Sequence, residues 1–387
     1  MPSDVIVIGA GIGGLAAAIA MARHGHRITV LERAETIQEV GAGLQISPNG
    51  LAVLRALGLE PALVATGAVQ AQRVVLRDYQ RVADVARLDL ARLTPDQRYY
   101  FVHRADLIDI LLAAATSAGV DIQTGAQVSQ VIPGHPAQVR LTDGTVQSAA
   151  LIVAADGVKS VARGVLNGSN NAVFTGQVAW RATLPADADA RRHATVTMGP
   201  GRHTVHYPLR GSGMMNIVAV EERDDWVGEG WNLHDDPANL RASFSRFQGP
   251  IAQYLNAVRE VQLWGLFRHP VATHWHKDNV VLLGDAAHPT LPFLAQGANM
   301  ALEDAWVLAD ATATSTDNAA LGRYQSARHK RVSKVIHTAS GNAWKYHLRA
   351  PPVRWAAHMA LQFGSRVAPG RMIGQYDWLY GTDVTRT

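Results

Sequence analysis

The chain has 387 residues, 48% of them hydrophobic and 18% charged, with 36 Lys and Arg against 32 Asp and Glu for a net charge of +4. That composition excludes a disordered polypeptide, and without a long Lys/Arg run there is no footprint for nucleic acid or a membrane surface. No cysteine is present, which excludes disulfides, thiolate metal sites, iron–sulfur clusters and cysteine nucleophiles, so any redox chemistry must run through an organic group.

The residues from Val5 to Ala22 are apolar enough to imitate a signal-peptide core. Asp4 precedes them, no basic segment does, and glycines at 9, 11, 13 and 14 interrupt them, so a soluble cytoplasmic protein is expected. Asp4 to Ile8 is a β-branched run of the kind buried on both faces of a sheet. A glycine-rich turn, a helix from Leu15 to Arg23 closed by Gly25, and a second buried strand Arg27 to Leu31 complete a βαβ unit. Ser47-Pro48 opens a helix that Gly58 closes.

From Arg73 to Leu90 apolar and polar residues alternate, as in half-buried antiparallel strands. Asp106 to Ser117 reads as a helix, Val120 to Gln123 as extended, Thr142-Asp143-Gly144 as a hairpin turn and Leu151 to Ala154 as a buried strand. Val173 to Phe267 is rich in short alternating strands. Asn279 to Leu283 returns to the buried parallel type, and Gln296 to Ala311 and Ala319 to His337 read as helices. The expected fold is α/β. A Rossmann-like nucleotide domain (residues 1–72, 101–172 and 269–335) is interleaved with an antiparallel-sheet substrate domain (73–100 and 173–268), and a C-terminal helical tail spans 336–387.

Gly9-Ala10-Gly11-Ile12-Gly13-Gly14 fits the G-x-G-x-x-G pattern in its physical context: a strand before, a helix after, and Glu32 at the end of the next strand. Gly9 permits the tight turn, Gly11 lets backbone approach a pyrophosphate, and Gly14 lets the helix pack on the sheet with its N–H groups facing the phosphates. Glu32 would accept hydrogen bonds from the adenosine ribose. The motif alone does not separate NAD from FAD.

Two more segments follow buried strands: Asp156-Gly157-Val158-Lys159-Ser160-Val161-Ala162-Arg163 and Gly284-Asp285-Ala286-Ala287-His288-Pro289. With the first motif, in this order, they resemble the three fingerprints of single-component FAD-dependent aromatic hydroxylases, the group A flavoprotein monooxygenases. The resemblance runs from about residue 4 to 335. It implies FAD as cofactor and NADH or NADPH as transient reductant, with NADH slightly ahead. It also implies O2 and an aromatic small molecule as co-reactants, through a flavin hydroperoxide. A monomer or homodimer is expected, the Trp- and Met-bearing tail being compatible with a dimer interface. By the resemblance, Asp285 bonds the ribityl chain of FAD, Asp156 and Gly157 serve both dinucleotides, and Arg104 reaches the phosphate and ribityl region. Gly297, Ala298 and Asn299, after Gln296, bring N–H groups to the pyrimidine end of the flavin. Ile12, Gly13, Arg33, Gln45 and Val128 complete the cofactor set. His288 is expected to be structural.

His203-Thr204-Val205-His206-Tyr207-Pro208 alternates, so positions 203, 205 and 207 share one face and 206 takes the other. A His and a Tyr two pleats apart on a cavity-facing strand could deprotonate a phenol, and imidazole has the right pKa. The pair also resembles the substrate face of 3-hydroxybenzoate 6-hydroxylases and 6-hydroxynicotinate 3-monooxygenases. Two positions depart from those subfamilies. Thr290-Leu291-Pro292-Phe293 lacks the Gln of the first, and Gln45 stands where the second has a His. Pro292-Phe293 is nearer the salicylate-hydroxylase pattern, and Trp180-Arg181 stands where the family enters its substrate sheet. The substrate set is therefore Gln45, His203, Tyr207, Pro292, Phe293 and Arg210, for a phenolic or N-heteroaromatic acid whose carboxylate suits the mild positive charge. No metal is expected, because the pairs His24/His26, His203/His206 and His274/His276 have no nearby carboxylate to complete a site. Gly230-Trp231-Asn232-Leu233 lacks the second Trp of the tryptophan-halogenase signature. A flavin reductase or dehydrogenase on the same scaffold, or a flavin-binding regulatory protein without turnover, are the alternatives.

Overall fold

Runs of β-branched residues placed between glycine turns bury both their faces, and these runs build the first sheet. In the computed structural model, which describes residues 2–37, 42–168, 172–186, 191–225 and 233–386, that sheet has six strands. Their order is His276–Lys277, Val280–Leu282, Leu151–Ala154, Asp4–Ile8, Arg27–Leu31 and Asp121–Gln123. All neighbours are parallel except the short edge pair His276–Lys277 and Val280–Leu282. The helix Ile12–Ala22 packs against the helix Gly297–Thr312, bringing the first and third motifs together. The segment Gly230-Trp231-Asn232-Leu233 lies, but for Leu233, outside the described residues.

The alternating segments build a second sheet of eight strands. Their order is Leu233–Asp235, Val261–Arg268, Val173–Pro185, Met214–Glu222, Arg202–Leu209, His193–Gly199, Arg73–Asp78 and Asp84–Asp89. One pairing is parallel, His193–Gly199 beside Arg73–Asp78, because those two strands are not joined by a hairpin. Alternation reports which face a residue takes, not the direction of the strand, and the pattern therefore did not distinguish this pair. Two helices, Pro237–Ser243 and Pro250–Ala257, interrupt the region read as strands throughout, and Leu240, Ile251 and Leu255 cover one face of the sheet with Trp180.

A third small sheet, Gly43–Ile46, Tyr100–His103 and Val69–Gln70, lies between the two larger ones. The helix Asn318–Tyr346 runs past His337, and three more helices, Pro351–Val367, Pro369–Gly374 and Asp377–Tyr380, complete the tail. Among the described residues no helix is long and apolar enough to cross a membrane.

Candidate active site

The nucleotide cradle is set by what the glycines exclude. Gly9 has φ +99, and a Cβ there would stand 2.6 Å from the Ala155 carbonyl oxygen; at Gly14 it would stand 2.0 Å from the Gly9 oxygen. At Gly11 a Cβ would meet no protein atom within 4 Å, so the space above the helix N-terminus is open. The N-cap Gly11 offers no side chain to the first N–H groups of the helix, which leaves them for an anion. Glu32 accepts from the backbone N–H of Ala10 at 2.8 Å and of Ala34 at 2.9 Å, and Arg33 beside it is exposed. Val128 is buried on the strand Val128–Ile132 and does not line the cavity, although Ala126, two residues before it, donates to the Glu32 carbonyl.

Asp156 accepts from the N–H of Val161 through Oδ2 at 2.9 Å, while its buried Oδ1 has no partner among the described residues. Burial pushes this carboxyl up, as it does that of Asp285, which lines the cavity with no hydrogen-bond donor among the described residues. A buried Asp156 oxygen and a half-buried Asp285 carboxylate, both without donors among the described residues and beside an open cradle, fit a ligand that brings hydroxyls and N–H groups. FAD meets that description.

The Gly284–Pro289 loop is held from below. The Asp304 Oδ2 atom accepts from His288 Nε2 at 2.5 Å and from the Gly284 N–H at 3.2 Å, and its Oδ1 accepts from Arg328 Nε at 2.7 Å. Glu303 accepts from Arg328, Arg331 and Asn49. Burial would raise both carboxyls, but His288 and Arg328 outweigh it at Asp304, and Arg328 and Arg331 outweigh it at Glu303, so both stay ionised. Arg163 donates to the carbonyls of Ala286 and Ala287 at 3.1 and 2.9 Å, tying the second motif to the third.

A second network joins the loop before the helix Gly297–Thr312 to the strand Gly43–Ile46. The Asn299 side chain accepts from the Ser47 N–H at 3.0 Å and donates to the carbonyls of Gln45 and Ala295, both at 2.9 Å. Gln296 donates to Ser47 Oγ at 3.0 Å and accepts from Asn49. Ser47 occupies the N-cap position of the helix Pro48–Ala56, yet its hydroxyl donates to Asn49 instead of capping. Asn299 is thus fully buried as a brace, and Gly297 and Ala298 line the cavity in front of it. Reading Ser47 as a helix start hid its part in this brace, as did the absence of any motif around Asn49.

The cavity, of about 520 Å³, lies between the Gly284–Ala298 region and one face of the eight-stranded sheet. Register defines that face. His203 opposes Met198 and Val220, Val205 opposes Val196 and Val218, and Tyr207 opposes Asn216; Arg181 opposes Val218. His203, Val205, Tyr207 and Arg181 all line the cavity, together with Gln45, Arg104, Pro292 and Phe293. Towards the sheet edge the wall turns apolar through Ala194, Val196, Met198, Val74 and Leu76. His206 points the other way, packs against Tyr254 and has its pKa lowered to about 3 by burial.

His203 is buried, its ring 5.9 Å from that of Phe293 and 5.3 Å from that of Tyr346, and burial lowers its pKa well below the usual imidazole value. Its Nδ1 lies 2.7 Å from His347 Nε2, and His347 Nδ1 lies 2.9 Å from Glu222 Oε1. Burial raises the Tyr207 phenol, which keeps its proton. Gln45 Oε1 accepts from the Tyr99 hydroxyl at 2.7 Å, and the Arg181 guanidinium stacks 4.5 Å from the Trp264 ring centre.

One substrate-side expectation is corrected. Arg210 does not line the cavity. It takes φ +47 just after the strand Arg202–Leu209 and turns back to the helix Arg104–Ser117, donating to Asp106 at 2.6 Å beside a separate shallow groove. Arg181 is the cationic side chain that the sheet face presents instead. His347 and Glu222 gave no signal in the sequence, since His347 sits in the weakly patterned tail.

Fold and site together define an FAD-dependent oxidoreductase. The chain belongs to the family described as FAD binding domain, whose model matches residues 2–339, and it is an FAD-dependent aromatic hydroxylase. It is 32% identical to a 3-amino-4-hydroxybenzoate 2-monooxygenase of Streptomyces platensis over 98% of this chain and 96% of the relative. A 3-hydroxybenzoate 6-hydroxylase of Aquipseudomonas alcaligenes is 31% identical, with 99% of each chain covered. Among solved structures, Klebsiella pneumoniae HpxO complexed with FAD and uric acid superposes with a TM-score of 0.82 at 25% identity, covering 95% of each chain.

Proposed function

We propose that the protein hydroxylates a phenolic or N-heteroaromatic acid of the hydroxybenzoate type, with NADH or NADPH as reductant (NADH favoured) and O2 as the oxygen source. The observation that carries this reading is the placement of His203 and Tyr207 on one cavity-facing strand, across from the loop that bears Asp285, Phe293 and Gly297.

When bound and reduced, FAD supplies an oxygen atom of O2 in electrophilic form. The residues that would hold it are the N–H groups after Gly11 at the pyrophosphate, Glu32 at the ribose, Asp285 and Arg104 along the ribityl chain, and the N–H groups of Gly297 and Ala298 at the pyrimidine end. His203, kept neutral by burial, accepts the phenol proton and makes the ring carbon nucleophilic. Tyr207 hydrogen-bonds the resulting phenolate. Arg181 faces the substrate carboxylate, and Gln45, Pro292 and Phe293 orient the ring. The apolar wall through Val205 and Val196 keeps water from the reacting atoms.

The assembly proposed is a monomer or homodimer in the cytoplasm. The exposed stripe Trp355, Met359 and Phe363 on the helix Pro351–Val367 supports the dimer.

NADH and NADPH oxidation, O2 uptake and peroxide release test the reading on FAD-loaded protein. The compounds would be 3-amino-4-hydroxybenzoate, 3-hydroxybenzoate, 6-hydroxynicotinate and salicylate. One compound is expected to stimulate oxidation with little peroxide; oxidation that ignores all of them and yields only peroxide would overturn it.

A further inference from the structure

We propose that Glu222 and His347 are positioning residues that hold His203 in the tautomer whose Nε2 lone pair is open to the cavity, and that they carry away the proton Nε2 accepts. The inference rests on the reading of His203 as the base, and it extends that reading to two residues on other elements.

The chain of contacts leaves one arrangement. His347 Nδ1 stands 2.9 Å from the Glu222 carboxylate, so Nδ1 must carry the hydrogen and donate it. A neutral His347 then has its lone pair on Nε2, 2.7 Å from His203 Nδ1. Nδ1 of His203 must therefore be the N–H, and Nε2, which has no hydrogen-bond partner among the described residues, bears the lone pair. The reverse arrangement would set a bare His347 Nδ1 against the Glu222 oxygen. Burial would raise Glu222, but Arg349 and His347 outweigh it and keep the carboxylate ionised.

The same chain leads outward. His203 and His347 are buried, the Glu222 side chain is 30% exposed, and its partner Arg349 is 71% exposed. When the phenol O–H breaks and an Nε2–H forms on His203, the Nδ1–H bond can pass its proton to His347 Nε2. The His347 Nδ1 proton then passes to Glu222 Oε1, where solvent takes it. Reversal along the same path returns a proton to the product, so no oxidant or reductant is consumed. The charged and titratable groups around this chain are Arg349 and Tyr346 from the tail, and Arg202 with Glu221 from the sheet; Arg202 pairs with Glu221 and not with Glu222.

Nitrogen NMR of the histidine-labelled, FAD-loaded protein tests the inference without a substrate, with the His203 signals assigned by their loss in His203→Gln. The expected result is a neutral His203 with hydrogen on Nδ1 and none on Nε2. In His347→Phe, His203 loses its acceptor and reverts to Nε2–H, the form free imidazole side chains favour. In Arg349→Ala, which cuts only the exposed ion pair, the tautomer stays as in the wild type. On whichever aromatic compound turns over, His347→Phe lowers kcat by about a hundredfold, the low end of what a positioned base contributes, with KM within about twofold. A wild-type His203 carrying its hydrogen on Nε2, or a tautomer unmoved in His347→Phe, would overturn the proposal. If no compound turns over, the hydroxylase reading fails while the tautomer result still decides this one, and the wild-type spectrum decides it even if His347→Phe does not fold.

Discussion

Tyr207 lies so close to Gly43 that a Cβ on the glycine would stand 2.7 Å from the phenol ring and 2.8 Å from its hydroxyl. The Gly43 N–H also donates to Asn216 Oδ1 at 2.7 Å, and Asn216 is the cross-strand neighbour of Tyr207. This contact seats the eight-stranded sheet on the strand that carries Gln45.

Gly43→Ala should therefore displace Tyr207 without emptying the flavin site. The expected outcome is retained FAD with kcat/KM down by about a hundredfold, the cost of misplacing a catalytic geometry by about 1 Å. Flavin content and steady-state kinetics on one preparation check it.

Two of the cradle glycines make opposed predictions. Gly14→Ala drives a Cβ into the Gly9 carbonyl and should cost about 3 kcal/mol or more, visible as a lower melting temperature of the FAD-free protein. Gly11→Ala meets no protein atom and should leave the FAD-free protein within about 0.5 kcal/mol of wild type. Its FAD dissociation constant should rise at least about tenfold, because the methyl group fills the space the pyrophosphate needs.

Acid stability should depend on the buried histidines. The folded-state pKa of His206 is lowered by burial from 6.5 to about 3, so between those values the unfolded chain binds the extra proton. Stability is therefore fully present above pH 6.5 and is lost as pH falls through that window. His206→Leu should remove on the order of 1–2 kcal/mol of the difference in unfolding free energy between about pH 7.5 and pH 5, measured by urea titration.

Arg181→Gln should raise KM for a carboxylated substrate by about ten- to a hundredfold, the worth of a charged hydrogen bond. The methyl ester of the same compound should be bound equally by both proteins. An equal loss for acid and ester would place the carboxylate elsewhere.

The nucleotide cradle was legible because its determinants are local: a β-branched strand, a glycine turn and a helix within a few dozen residues, repeated at two later strand ends. The face of the strand Arg202–Leu209 was legible for the same reason, since alternation alone puts His203 and Tyr207 together. What was not legible depends on contacts distant in sequence. His203 meets His347 across 144 positions, and Asn299 meets Ser47 across 252, with no periodicity to announce either. Arg210 was misplaced because Arg210, Gly211 and Ser212 all take positive φ after the strand and turn the Arg210 side chain away from the cavity, and so short a turn leaves no periodicity.

The most direct test of the central claim, that His203 activates an aromatic ring for oxygen transfer, is turnover under isotopically heavy O2 with mass analysis of the product. Wild type and His203→Gln, both FAD-loaded, would be compared. The account predicts a wild-type product that carries one heavy oxygen atom, formed about a hundred- to ten-thousandfold more slowly by the variant, with flavin binding unchanged. A product without the label, or a variant as fast as wild type, would contradict it.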